Sequence, residues 1–266
     1  MTEHQESSSW DARSQFFGDS IQGVLFKNLP EVVNRHIHNW HVHCIFSFLK
    51  NNPPDKLLDV GCGYGRLSFP LKERFPSVQT VGLDVSAHYV ELYRRNLKQP
   101  AFTCSLEQLP PDLGLFDCLL VVTVFMYLPK QNLEDALDGL LKHLKNGGKL
   151  IVIDKHCSGN FFLNPFGLRD FIARRSRVNE KTETGGQSFS TEEIRALMQK
   201  QGAIITDELR MPMTTIFIVP IYCIGKILPQ GLAQIFLRGI FLMDRLLQKW
   251  PLPSLHAAYL IEKRMR

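Results

Sequence analysis

The stretch that most constrains the fold is LLDVGCGYGRLSFPL, residues 57–71, where a short apolar run gives way to glycines at alternate positions and then to a helical pattern. A strand that ends in a glycine turn and continues as a helix opens an α/β sheet that holds a ligand at its strand ends. A pyrophosphate-binding turn has the spacing G-x-G-x-x-G. Gly61 and Gly63 fit it, but its third place is Arg66, and the third glycine, Gly65, comes one residue early. The turn alone leaves the ligand open.

Strand signals recur after it. KLLDV (56–60), TVGLDV (80–85), AFTC (101–104), FDCLLVV (116–122) and KLIVID (149–154) are short and separated by helical patterns. Strands that are apolar throughout belong in a parallel sheet covered on both faces. Leu133, Ala136, Leu137, Leu140, Leu141 and Leu144 follow helical spacing, and Gly147 and Gly148 are expected to stop that helix. Ser190 and Glu193 make a capping box ahead of TEEIRALMQKQ, and Gly202 closes that helix. With 44% hydrophobic and 21% charged residues over 266 positions, the chain is long enough to bury one large α/β core. The organisation expected is an N-terminal helical cover (1–50, helical from about Glu31 to Leu49), an α/β domain (51–209), an apolar helical insertion (210–254) and a last strand of the sheet (255–266) containing AAYLIE.

The net charge of +5 permits an acidic partner or a membrane surface and requires neither. The six cysteines are scattered without a C-x-x-C pair, as in reduced, buried thiols, and MTEHQESSSWDARSQ is polar and acidic where a secretion signal is basic and then apolar. A cytoplasmic location is expected. The uncharged stretch Met211–Gly225 contains two prolines and falls short of the ~18–20 apolar residues that span a bilayer. In HIHNWHVH (36–43) the histidines lie on different sides of a helix, with no carboxylate to complete a site, so no metal is expected. The stripe Val33, Ile37, Trp40, Cys44, Phe48 reads instead as the inner face of a covering helix.

Asp84 closes the second strand about twenty residues beyond the glycines, where a carboxylate accepts from both hydroxyls of a ribose. Asp59 precedes the first glycine by two, giving D-x-G-x-G-x-G. Alternate glycines let the backbone bend tightly beneath a ligand without a phosphate, and the carboxylate favours a cationic one. With SLEQLP after the third strand, FDCLLVVTVFMYLP at the fourth and LKNGGKLIVID at the fifth, the chain resembles the class I S-adenosylmethionine-dependent methyltransferases of the small-molecule and lipid or quinone type. The resemblance covers about residues 56–209 and the last strand. It implies an α/β fold with a doubly wound, mainly parallel seven-stranded sheet, and S-adenosyl-L-methionine as cofactor. It puts Asp59, Gly61, Gly63 and Gly65 under the methionine part, Asp84 and Val85 at the ribose, Ser105 and Leu106 beside the adenine, and Val122 near the sulfonium. Many relatives carry Asp where Ser105 stands; a hydroxyl accepts one hydrogen bond there but brings no charge.

The acceptor is narrowed by what is missing. Thr123-Val124-Phe125-Met126 occupies the place of the N-P-P-Y type motif of amino-methylating nucleic-acid enzymes, the NPPD at 52–55 reads as a turn, and no Pro-Cys follows the fourth strand, so no DNA acceptor is expected. RDFIARRSR (169–177) is the single support for an RNA or protein acceptor. A hydrophobic small molecule is expected instead, walled by the N-terminal cover, residues 155–189 and the insertion; a protein that keeps the cofactor as a scaffold without methyl transfer is the alternative. His156, just after the fifth strand, is the candidate general base, because imidazole titrates in the right range and strand carboxyl ends hold substrates. Tyr127 is the second candidate, as donor or positioning group. In the insertion, Leu232, Ile235, Phe236, Ile240, Met243, Leu246 and Leu247 form a helical stripe expected to be buried as a lid over the pocket. Leu237 and Phe241, beside Arg238 and Arg245, are expected to face outward, toward a membrane surface or a second subunit in a homodimer.

Overall fold

The computed structural model describes residues 3–159 and 187–263. Helices α1 (Glu3–Phe17), α2 (Ile21–Val24) and α3 (Glu31–Leu49) precede strand β1 (Lys56–Val60). Then come α4 (Ser68–Arg74), β2 (Gln79–Asp84), α5 (Ala87–Leu97), β3 (Ala101–Thr103), β4 (Phe116–Val122), α6 (Leu133–Lys142) and β5 (Leu144–Lys155). After residue 187 follow α7 (Thr191–Lys200), β6 (Ala203–Arg210), α8 (Pro212–Ile216), α9 (Ile218–Ile227), α10 (Gln230–Leu247) and β7 (His256–Lys263). The seven strands form one sheet in the order β3-β2-β1-β4-β5-β7-β6. β1 to β5 pair in parallel, and β7 runs antiparallel between β5 and β6. This is the class I methyltransferase Rossmann-like fold, a mixed seven-stranded sheet with helices on both faces.

The continuous apolar strands bury both faces. In β1, Leu57 joins the cluster beneath α3 and Leu58 the cluster beneath α6, and both are fully buried. In β4, Cys118, Leu120 and Val122 face the first side and Leu119 and Val121 the second. On the first side Val33, Ile37, Trp40 and Cys44 of α3 are wholly excluded from water, so the stripe expected of that helix is its inner face. Each such side chain is worth about 1.5–3 kcal/mol on burial, which holds the helix on the sheet.

Local signals fix several boundaries. The Ser190 side chain accepts from Glu193 N while Glu193 reaches back to the Ser190 amide, completing the capping box of α7. Gly202 takes a φ of +67° just beyond that helix. The stop expected at Gly147 and Gly148 comes earlier: α6 ends at Lys142, and Leu144 pairs with Phe116 as the first residue of β5. Leu144 fits the helical stripe and a strand start equally well. Gly147, at φ +72°, lies in the register shift that follows.

The larger correction concerns α10. Leu237 (3% exposed) and Ala233 (0%) face inward, while Ile235 (64%) and Leu246 (79%) lie in water. The helix is rotated by roughly a third of a turn from the orientation its apolar stripe predicts. Asp244 is the cause. Fully buried on the same side as Leu237, its carboxylate accepts from Met213 N at 2.6 Å, Thr214 N at 3.2 Å and the Thr214 hydroxyl. Met213 and Thr214 open α8, whose N-terminal amides have no side-chain cap of their own. The Thr214 hydroxyl, donating to Asp244, accepts from Nε2 of His36 at 2.7 Å, so one buried polar chain ties α3, α8 and α10 together. Phe241 is half-buried, edge-on to His36 and His43 of α3.

Candidate active site

The glycine turn after β1 and the ends of β2 and β4 enclose a cleft of about 520 Å³. It opens at the carboxyl end of the sheet, where β1 is followed by β2 on one side and the chain crosses back from β3 to β4 on the other, the usual ligand position of a doubly wound fold. Gly61 and Gly63 form its base with φ of +68° and +52°. A Cβ on Gly61 would lie 2.4 Å from Cγ2 of Val124, so the backbone there is as close to the β4 loop as a glycine allows.

Asp84, at the end of β2, lines the cleft with Val85. Its Oδ2 accepts from Gly63 N at 2.8 Å and its Oδ1 from Ser86 N at 2.9 Å, and the Val85 amide also bonds to the carboxylate. Burial raises its pKa to about 6, against the pull of those three amides. Asp59 stands outside the cleft lining: its Oδ2 accepts from the Ser68 hydroxyl at 2.7 Å, fixing the start of α4, and burial raises it to about 6 as well. Gly65 also lies outside the lining; its φ of +94° and its contact with Leu97 turn the chain into α4.

The β4 side is strained. Thr123, a β-branched residue, sits at φ +56°, its amide bonded to Ile153 O at 2.7 Å. That conformation costs of order 1–3 kcal/mol and is typically held at functional sites. Asp154 secures the segment that follows by accepting from Met126 N at 3.2 Å, and burial pushes its pKa up to about 7. Ser105, Leu106, Val122 and Tyr127 all line the cleft.

Sequence reasoning missed the far wall. Trp10 of α1 and Val24 of α2 line the cleft, with Trp10 edge-to-face on Tyr127 at 5.2 Å. α1 is pinned there because the Ser86 hydroxyl donates to Asp11 Oδ1 at 2.6 Å and Arg13 donates to Leu25 O at 2.6 Å. The signal available was a single tryptophan in the polar run SSSWDARS. Among the described residues none from the 210–254 insertion lines the cleft, so the lid expected there is instead a buttress against α3. Of residues 155–189, most lie outside the described residues, as does RDFIARRSR.

His156 is not brought to the cleft. Its Nδ1 accepts from Ser158 N at 3.2 Å, and its Nε2 lies 3.4 Å from the Thr191 hydroxyl. Burial, and Arg210 after it, lower its pKa to about 4, so it is a neutral and weakly basic ring. The helical histidines find partners of their own: His38 at Arg66, His41 at His256, His43 at Gln248.

The charge of the cleft is its most telling property. Asp84 and Glu107 line it, and among the described residues no lysine, arginine or histidine does. Arg66, standing where a pyrophosphate turn has its third glycine, is buried and bonded to His38 Nδ1 at 2.9 Å. The lining therefore disfavours a dianionic pyrophosphate and suits a ligand with hydroxyls, an aromatic ring and a positive charge.

Comparison with known proteins agrees with this geometry. Residues 57–148 match the family described as a methyltransferase domain. The ribosomal RNA small subunit methyltransferase C of Salmonella arizonae is 30% identical over 178 residues, covering 59% of this chain and 48% of that protein. O-methyltransferase 3 of Dictyostelium discoideum is 27% identical over 227 residues, covering 72% of this chain and 51% of that one. The chain thus spans about half the length of the curated relatives it matches. Among solved structures, magnesium protoporphyrin IX methyltransferase from Synechocystis PCC 6803 with bound SAH superposes at a TM-score of 0.58 with 18% identity, covering 78% of this chain and 92% of that one.

Proposed function

We propose that this chain, which carries the methyltransferase domain of the class I S-adenosylmethionine-dependent family, transfers a methyl group from S-adenosylmethionine to a hydrophobic small molecule. The observation that carries the reading is the cleft lined, among the described residues, by two carboxylates and no cation, with glycine backbone at its base. The residues fit the cofactor in kind. Asp84 presents a carboxylate to ribose hydroxyls, Ser105 and Leu106 line the cleft where the adenine would lie, and Gly61 and Gly63 admit a close ligand where any Cβ would collide. The cofactor supplies an electrophilic methyl on a cationic sulfonium. The protein's part is then to align an acceptor in line with it and exclude water. Trp10, Val24, Val122 and Tyr127 give that space an apolar wall, and the Tyr127 hydroxyl is the polar group on it we assign to positioning the acceptor. With no histidine or lysine on the wall among the described residues, the reading favours acceptors that ionise readily or need no deprotonation.

An RNA acceptor is the second reading, supported by the relatives from bacterial ribosomal RNA modification; a cofactor held without transfer is the third. Calorimetry against S-adenosylmethionine and NAD tests the cofactor, and NAD binding in preference would overturn the assignment. Incubation with methyl-labelled cofactor and either an organic-soluble cell extract or small-subunit ribosomal RNA tests the acceptor. Label in the organic-soluble fraction supports the proposal, and label in the RNA refutes it. Tight cofactor binding with label in neither leaves the scaffold reading.

A further inference from the structure

We infer that the outward face of α10 docks on an anionic lipid surface. The face is a run of large apolar side chains in water: Leu232 (51% exposed), Ile235 (64%), Phe236 (57%), Leu242 (57%), Met243 (45%) and Leu246 (79%). In helical projection these positions fall within one sector of about 120°, opposite the sector occupied by Ala233, Leu237 and Asp244. Scattered exposed apolar residues are ordinary; a stripe along about four turns is not. It exists because the polar chain through Asp244, Thr214 and His36 turns the helix this way, so the stripe is set by a fully buried anchor and not left over from loose packing.

Charge selects the occupant. Residues 211–254 contain four basic side chains, Lys226, Arg238, Arg245 and Lys249, and one acidic side chain, Asp244, which is buried. Lys249 is paired with Asp207. Arg238 and Arg245 are exposed and lie along one edge of the apolar sector, so a surface that meets the stripe meets them too. Trp250, 60% exposed just beyond the helix, adds the amphipathic ring typical of a membrane–water boundary. An apolar stripe with a basic edge matches the acyl chains and phosphate groups of an anionic leaflet. A second copy of this chain would oppose like charges across a two-fold axis. Among the described residues no helix is long and apolar enough to cross a membrane, so the contact is with the surface of a bilayer.

The test is flotation of the full chain with vesicles of phosphatidylcholine alone and of phosphatidylcholine with phosphatidylglycerol. It needs no cofactor, so its outcome is independent of whether the chain transfers methyl groups. The wild type is expected to float with the anionic vesicles and to bind less at high salt. Ile235→Ser/Leu246→Ser should lower partitioning at least about tenfold, since each change exposes no new core and removes one leucine-sized group from the lipid. Arg238→Gln/Arg245→Gln should lower it about fivefold per charge. Both variants should melt like the wild type, because all four side chains are exposed. No flotation of the wild type, or equal flotation of the apolar variant, overturns the proposal. So does a dimer by light scattering that Ile235→Ser/Leu246→Ser dissociates while vesicles bind neither protein, for then a second copy covers the face.

Discussion

Replacing Asp244 by alanine should destabilise the protein by about 3–5 kcal/mol. The carboxylate is fully buried and receives the amides of Met213 and Thr214 and the Thr214 hydroxyl. A hydrogen bond to a charged group contributes about 1.5–3 kcal/mol, and a buried donor left without a partner costs about 1–3 kcal/mol. Alanine orphans two amides that α8 cannot satisfy itself, while the hydroxyl can rotate; hence the middle of the summed range. At about 2–4 °C per kcal/mol for a chain of this size, the melting temperature should fall roughly 10 °C by circular dichroism. Asp244→Asn keeps the shape and one acceptor and should cost about 1–2 kcal/mol. The pH dependence has a definite sign. Burial raises the Asp244 pKa from 3.8 to about 6, so the folded state holds this proton more tightly than the unfolded state. Its contribution is present in full at low pH and lost as pH rises through about 6. The Asn variant should lack that component. A stability within 0.5 kcal/mol of wild type for Asp244→Ala, taking that as roughly the error of such mutant comparisons, would show that the apolar contacts of Ala233 and Leu237 orient the helix unaided.

The other predictions concern the cleft. Asp84→Ala should weaken S-adenosylmethionine binding about 10- to 100-fold by calorimetry. In the wild type the dissociation constant should rise with falling pH, by up to about tenfold per unit, once pH drops below about 6, where the carboxylate protonates. Asp84→Asn should abolish that slope. Tyr127→Phe should lower kcat about 10- to 100-fold with cofactor affinity unchanged, while His156→Ala should lower the melting temperature and leave kcat within a few-fold, because the ring packs away from the cleft. A kcat collapse in His156→Ala would reinstate it as the base. Gly61→Ala should cost about 1–3 kcal/mol through its positive φ and its collision with Val124. Adding Val124→Ala should restore only the steric part, and full recovery would show that the backbone conformation carries no cost.

What the sequence disclosed depended on whether the deciding interaction was local. KLLDV and FDCLLVV read as buried strands because both faces of β1 and β4 are covered, which leaves no polar alternation to misplace. Ser190 and Glu193 were legible because a capping box is complete within four residues. Asp84, Gly61 and Gly63 pointed to the cleft through their spacing, while Gly65 of the same run lies outside its lining. The orientation of α10 was not legible: periodicity weighs apolar side chains, and the partners of Asp244 lie some thirty positions earlier in α8. Trp10 was equally hidden, since its place on the cleft wall rests on Asp11 reaching Ser86 and on contact with Tyr127. His156 was misplaced for a third reason. A residue at a strand end is near the ligand side, but its own ring direction was set by Ser158 and Thr191.

The position of β7 has a consequence for how the protein is made. β5 and β6 are translated first, yet β7 lies between them and supplies the pairing partners of both. Until residues 256–263 leave the ribosome, β6 has no neighbour in the sheet and β5 presents an open edge. The insertion waits too, since Met211 N bonds to Ser254 and Leu255 N to Thr215. The nascent chain therefore exposes an unpaired strand edge together with the most apolar segment of the protein, the combination that invites wrong pairing between neighbouring polypeptides on one message. Growth of the chain from its N-terminus cannot complete this sheet stepwise. Its closure is an insertion event, and yield in the cell should depend on holdase chaperones during that interval more than on the stability of the finished fold.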